Sequence, residues 1–155
     1  MKEKIKEIYG ERVRVRAVGL CRDEQGRFLL VNHAGLTEGD FWAPPGGGVD
    51  FGEPMEAVLI REFQEETGLQ ISAGKFLFGC EVIRPPLHAV ELFFEVRIEG
   101  GELQVGHDPE LNIIQGVAFK SWPEITALGS KHCHGIFSIV QHPEELYRMT
   151  GIQRL

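Results

Sequence analysis

The sequence predicts a single mixed α/β domain spanning residues 1–155, on three observations. Its 155 residues, 43% of them hydrophobic, suffice for one core that buries about two-thirds of the unfolded surface. Short runs rich in β-branched and aromatic residues recur along the chain, bounded by turns that carry Gly and Pro. Among them lies one segment with strong helix signals, EPMEAVLIREFQEETG. No repeat, low-complexity tract or linker interrupts the chain.

Each element has its own warrant. Residues 2–9 read as a short helix, with Ile5, Ile8 and Tyr9 on one side. RVRVRAVGL alternates charged and apolar residues with period 2 before turning apolar, which predicts a strand over 12–21. RDEQG is a turn and RFLLVN a second strand, so these two strands are expected to form a hairpin. FWAPPGGGVDFGEP carries too much Pro and Gly for regular structure and reads as a shaped loop. The helix after it should run over about 54–67, opened by Pro54 and closed by Gly68. KFLFGCEVIR and HAVELFFEVRIE are strand runs joined by PPL, with ELQVG and IIQGVAFKSW as further strand candidates. Two of the runs are too apolar to be one-sided and are expected to be central strands covered on both faces by helices. Ser121 followed by Glu124 has the form of a capping box, and PEELYRM looks like the start of a last helix.

Charge and cysteine usage exclude several classes. A net charge of −7 argues against a nucleic acid polymer as partner, since backbone binding relies on a basic surface. With no apolar run of 18 residues and an N-terminus too polar for a secretory signal, a soluble, cytoplasmic protein without membrane attachment is expected. Three scattered cysteines without a CxxC fit a reducing compartment. The Lys131–His134 run, KHCH, lacks the spacing of a zinc motif and is read as a surface loop.

One feature of the helix demands a partner. Glu62, Glu65 and Glu66 are related by i,i+3 and i,i+4 spacing and repel by roughly 0.2–0.5 kcal/mol per pair. On a helical wheel they share one arc, while Leu59, Ile60 and Phe63 occupy the neighbouring one, the expected core face. Arg61, four residues before Glu65, can reach that carboxylate and direct it without neutralising the cluster. A hard divalent cation suits the remaining charge, because Mg²⁺ binds through carboxylates, water and phosphate oxygens. The glycine-rich loop leading into the helix lets backbone approach the same region. An EF-hand is excluded, since its alternating ligands with Gly at the sixth position are absent.

From Gly47 onward the chain reads Gly, five residues, Glu53, seven residues, then Arg61-Glu62-Phe63-Gln64-Glu65-Glu66-Thr67-Gly68-Leu69. This resembles the Nudix box, G-x5-E-x7-R-E-U-x-E-E-x-G-U, with Phe63 as its one mild departure. The order of elements outside the box is similar to the Nudix fold, an α/β/α sandwich around a mixed β-sheet. The resemblance implies that Glu62, Glu65 and Glu66 coordinate Mg²⁺ or Mn²⁺ together with the main-chain oxygen of Gly47, that Arg61 orients Glu65, and that Glu53 supports them. It implies hydrolysis of the pyrophosphate linkage in a nucleoside diphosphate linked to another group, such as an ADP-ribose-like dinucleotide, with bound metal acidifying the attacking water. Sanitising of nucleoside triphosphates is the alternative, and a non-catalytic nucleotide-sensing domain would be expected to have lost a box carboxylate.

Family members also recruit an acid from a loop after the box, as a further ligand or general base. GHDPEL offers Asp108 and Glu110, of which Glu110 is preferred. Asp50 and Glu56 fall at variable positions of the box and are read as surface. Phe41 and Trp42 could wall a base pocket, with core packing the preferred reading, and Arg84 is either a phosphate contact or an exposed strand end. The expected partner is a small nucleotide. Dimerisation is common for the fold, and a homodimer is left open.

Overall fold

The computed structural model describes residues 3–109 and 111–155. It contains α1 (Glu3–Tyr9), β1 (Arg12–Cys21), β2 (Phe28–His33), β3 (Trp42–Ala43), β4 (Gly46–Gly48), α2 (Met55–Thr67), β5 (Leu69–Arg84), β6 (Leu87–Gly101), β7 (Ile114–Lys120), α3 (Trp122–His132) and β8 (Ile152–Arg154). Short 3-10 helices cover Gly135–Ser138 and Pro143–Tyr147, the latter where a last helix was expected. One sheet has the order β4-β1-β6-β5-β8 and mixes parallel and antiparallel pairs; a smaller antiparallel sheet runs β3-β2-β7.

The expected hairpin of the first two strands does not form. Arg22 bridges Phe28 at the turn, and then the strands part into different sheets. β1 instead lies parallel to β6 along its whole length, Arg12 opposite Leu87 through Cys21 opposite Val96. The reason is burial on both faces: Val18 and Leu20 face one core, while Ala17 and Cys21 face another. Strand alternation thus lets one strand serve two layers.

The first core joins Val18, Leu20, Phe28, Leu30, Phe78 and Phe93 to Ile125 of α3 and Ile136. The second joins Ala17, Cys21, Leu29, Ile71 and Val96 to Val58, Leu59 and Phe63 of α2. Helices on both sides of sheet make the α/β/α sandwich. α2 sits very close to β1: a Cβ on Gly19 would lie 2.6 Å from the Phe63 ring. Ile60, expected in the core, is 43% exposed, because the buried arc runs through Val58, Leu59, Phe63, Glu66 and Thr67 instead.

Three further expectations change. The glycine-rich loop is partly strand: Gly46, Gly47 and Gly48 pair with Val18, Ala17 and Arg16, in a space where a Cβ on Gly46 would lie 2.4 Å from the Ala17 carbonyl oxygen. Lys131–His134 is not a surface loop, since Cys133 joins the first core and His134 is buried. ELQVG is not a strand, because its backbone donors go to the end of α2. Gln104, Gly106 and His107 donate to the carbonyls of Thr67, Glu66 and Glu65 at 2.9–3.0 Å, and Gly68, in the left-handed region at φ 76°, donates to Gln64. The carbonyls that every helix leaves without partners at its C-terminus are thereby met. The capping box of Ser121 and Glu124 is present at the start of α3. Among the described residues no helix is long and apolar enough to cross a membrane.

Candidate metal and phosphate site

α2 carries the acidic cluster on the side next to its buried arc, and β4 lies against it. Gly47 meets Glu62 so closely that a Cβ there would fall 2.1 Å from Glu62 Oε1. Gly106 approaches equally closely from the other end, where a Cβ would overlap the Glu65 carbonyl. That approach carries the 102–108 segment along α2 and delivers Asp108 to within electrostatic range of Glu66 and of His33. Glu110 lies outside the described residues.

Arg61 is the hub of the exposed half of the cluster. Its Nε and Nη2 donate to the two oxygens of Glu53 at 3.0 and 2.9 Å, a bidentate pair, and its Nη1 donates to Glu62 Oε1 at 2.9 Å. The bond to Glu65 Oε2 is the longest, at 3.4 Å. Glu53 is therefore the main anchor of Arg61, and Glu62 and Glu65 share what remains. These contacts raise the already high pKa of the guanidinium and hold the Glu53 carboxyl below its usual range.

Glu62 and Glu66 form the buried half. Glu66 is 5% exposed, its Oε2 has no hydrogen-bond partner among the described residues, and its carboxyl lies in hydrogen-bond contact with that of Glu62. Desolvation pushes both carboxyls up, Glu66 well above its ordinary value, with the neighbouring Glu62 charge adding to the effect. An unpaired buried carboxylate either keeps a proton or takes a cation.

Among the described residues no three His, Cys, Asp or Glu side chains converge as a finished ligand cage. Arg61 engages Glu62 and Glu65, the latter at 3.4 Å. The donor set nonetheless fits a hard divalent cation. It is all oxygen, it includes an orphaned carboxylate atom, and it lies where only glycine leaves the backbone room.

The other sequence candidates fall as follows. Asp50 and Glu56 are exposed, as read. Phe41 is buried and Trp42 half-buried beneath Lys120, whose Nζ lies 4.1 Å from its ring, so core packing prevails for both. Arg84 is exposed at the end of β5. Two surface clefts, of about 710 and 490 Å³, lie elsewhere, around Arg12 and Pro86 and around Arg22 and Tyr147; neither touches α2. Sequence reasoning missed Arg16 and His33, which electrostatics connects to the cluster through Glu66 and Asp108. The alternation RVRVR was the available signal for Arg16; for His33, at the end of a strand, there was none.

A mixed-sheet α/β/α sandwich with this acidic helix after a glycine strand defines a class, and comparison bears it out. The NUDIX domain model matches residues 11–137, and the chain belongs to the Nudix family. It is 33% identical over 106 residues to an ADP-ribose pyrophosphatase of Methanocaldococcus jannaschii, covering 63% of this chain and 62% of that protein. It is 27% identical over 104 residues to an 8-oxo-dGTP diphosphatase of Proteus vulgaris, covering 63% of this chain and 93% of that one. The chain thus spans less than two-thirds of the first relative's length. Among solved structures, a NUDIX hydrolase from Nitrosomonas europaea superposes with a TM-score of 0.73 at 18% identity, covering 88% of this chain and 89% of the other, a likeness of fold.

Proposed function

We propose that this protein is a metal-dependent pyrophosphohydrolase that cleaves the diphosphate linkage of a small nucleotide, a nucleoside diphosphate linked to a second group. The observation that carries this reading is the cluster of Glu62 and Glu65 on Arg61 with the buried, partner-short Glu66 beside Glu62, set against the side-chain-free backbone of Gly47. Family membership and the names of both relatives support it.

Glu62, Glu65 and Glu66, with the main-chain oxygen of Gly47, would hold Mg²⁺ or Mn²⁺. Such a cation, when bound, supplies charge neutralisation at the phosphoryl oxygens and acidifies the attacking water. The residues do the rest. Glu53 fixes Arg61, and Arg61 limits where the Glu62 and Glu65 carboxylates can point. Glu66, buried and with Oε2 short of a partner, would give up its proton to solvent and take a cation in its place. Asp108, within electrostatic range of Glu66, and Glu110, preferred from the sequence, are the two candidates for taking a proton from water.

An ADP-ribose-like dinucleotide is the first choice of substrate, following the more similar of the two relatives, and a nucleoside triphosphate the second. The test is a panel of dinucleotides, nucleotide sugars and nucleoside triphosphates incubated with Mg²⁺ or Mn²⁺, both products being identified. Hydrolysis of at least one member is expected, and its loss on chelation. A panel left intact under both metals overturns the proposal.

A further inference from the structure

β4 is the edge strand of the larger sheet, and its two faces meet opposite charges. Gly47 faces Glu62 on the side of α2. The guanidinium groups of β1 reach Gly46 and Gly48: Arg16 Nη2 donates to Gly46 O at 3.4 Å, and a Cβ on Gly48 would meet Arg14 Nη2 at 3.4 Å. Alternation along RVRVR places Arg14 and Arg16 on the same face of β1. In a protein of net charge −7, two arginines thus lie across one glycine strand from a cluster of glutamates.

Arg16 is held from behind. Its Nη1 donates to Glu91 Oε2 at 2.7 Å, and Glu91 Oε1 pairs at 2.8 Å with His134 Nε2. Glu91 is 3% exposed and has both oxygens engaged, one by Arg16 and the other by His134. Arg16, by contrast, keeps 26% of its side chain exposed. Of its five donors, two have acceptors among the described residues, and the Nη2 bond is long. Arg14 is steadied by Tyr9, whose ring centroid lies 3.6 Å below its Cζ. Arg16 also lies within electrostatic range of Glu66. Because β4 is all glycine and, among the described residues, has no strand beyond it, a ligand at this edge can touch the arginines and the glutamate side together.

We propose that Arg16, with Arg14 beside it, forms a metal-independent subsite for a phosphoryl group of the substrate's diphosphate, and that Glu91 and His134 are positioning residues that aim Arg16 at it. The inference rests on the pyrophosphohydrolase reading for the identity of its anion. Its physical content is a division of labour: cations held by α2 meet one part of the diphosphate, and a fixed guanidinium meets another.

The test uses inorganic pyrophosphate as probe, titrated in EDTA and followed by NMR shifts of the arginine side chains and by calorimetry, so that binding is read without turnover. The intact protein should bind, Arg16→Gln should weaken binding by about tenfold or more, and Glu66→Gln should not weaken it. Arg16→Gln leaves Glu91 charged and short of a partner, so the double variant Arg16→Gln/Glu91→Gln restores neutrality; it should melt near the parent temperature and still fail to bind. Glu91→Gln alone, which keeps the Arg16 charge but loosens its aim, should give an intermediate affinity. With a substrate found by the panel, Arg16→Lys should raise KM more than it lowers kcat. Absence of pyrophosphate binding by the intact protein in EDTA, or binding by the double variant at the parent affinity, overturns the subsite. Failure of the panel with intact binding overturns only the catalytic reading.

Discussion

Glu66→Gln should make the metal-free protein more stable while it destroys activity. Glu66 is 5% exposed, Oε2 has no partner, and Glu62 and Asp108 both add negative charge beside it, with Arg16 offsetting in part. A carboxyl whose folded-state pKa lies above its unfolded value keeps a proton that the unfolded chain has released, so stability falls as pH rises above about 4.5, until the folded-state pKa is passed. A glutamine carries no charge to desolvate, and its amide can donate to Glu62 as the protonated acid does. Relief of one unsatisfied buried group is worth about 1–3 kcal/mol, which for a chain of this size shifts the melting temperature by roughly 2–12 °C. The assay is thermal and urea unfolding of both proteins in EDTA at pH 8 and at pH 4.5, with the gain expected at the higher pH and absent at the lower. Addition of Mg²⁺ should then stabilise the parent more than the variant, because a ligand that binds the folded state alone stabilises it. A variant less stable than the parent at pH 8 in EDTA, or a gain that does not depend on pH, would refute this account of the buried cluster.

Three other outcomes are expected. Gly47→Ala should displace the Glu62 carboxylate, the flexible end of its side chain, and so lower kcat by up to about a hundredfold while melting close to the parent; unfolding of the variant would instead mean that the strand itself gave way. Glu53→Gln should change stability by less than about 1 kcal/mol, because the pair with Arg61 is partly exposed, yet slow turnover as Arg61 loses its bidentate anchor; kcat with an unchanged value would contradict the hub role. The Glu91 carboxyl, which burial raises but His134 and Arg16 pull down to about 2, contributes stability above pH 4.5 that is lost as pH falls from there toward 2. Glu91→Gln should forfeit about 3 kcal/mol at pH 7 and flatten that acid transition, measurable as urea midpoints against pH.

What could be read in advance was local. The helix over 54–67, its closure at Gly68 and the capping box at Ser121 depend on neighbours within four residues, and the structure has all three. The acidic cluster was legible for the same reason, since helical spacing alone brings Glu62, Glu65 and Glu66 together. Where two elements compete for a partner, spacing is silent. RVRVRAVGL and RFLLVN looked like a hairpin because a turn separates them, yet β1 buries both faces and gains more beside β6, about 75 residues away, than beside β2. ELQVG had the composition of a strand, but its donors meet the free carbonyls of α2, a need that no window of residues reveals.

The family, the long helix and the acids on it follow from residue spacing, because a motif of fixed spacing on a regular element carries its geometry with it. Packing of the folded chain is what makes Glu53 rather than Glu65 the main anchor of Arg61, buries Cys133 and His134, and sets Arg16 across β4 from the glutamates with Glu91 and His134 behind it. Those contacts join residues distant along the chain, and their strength comes from burial, which exists only once the two sheets have closed around the core.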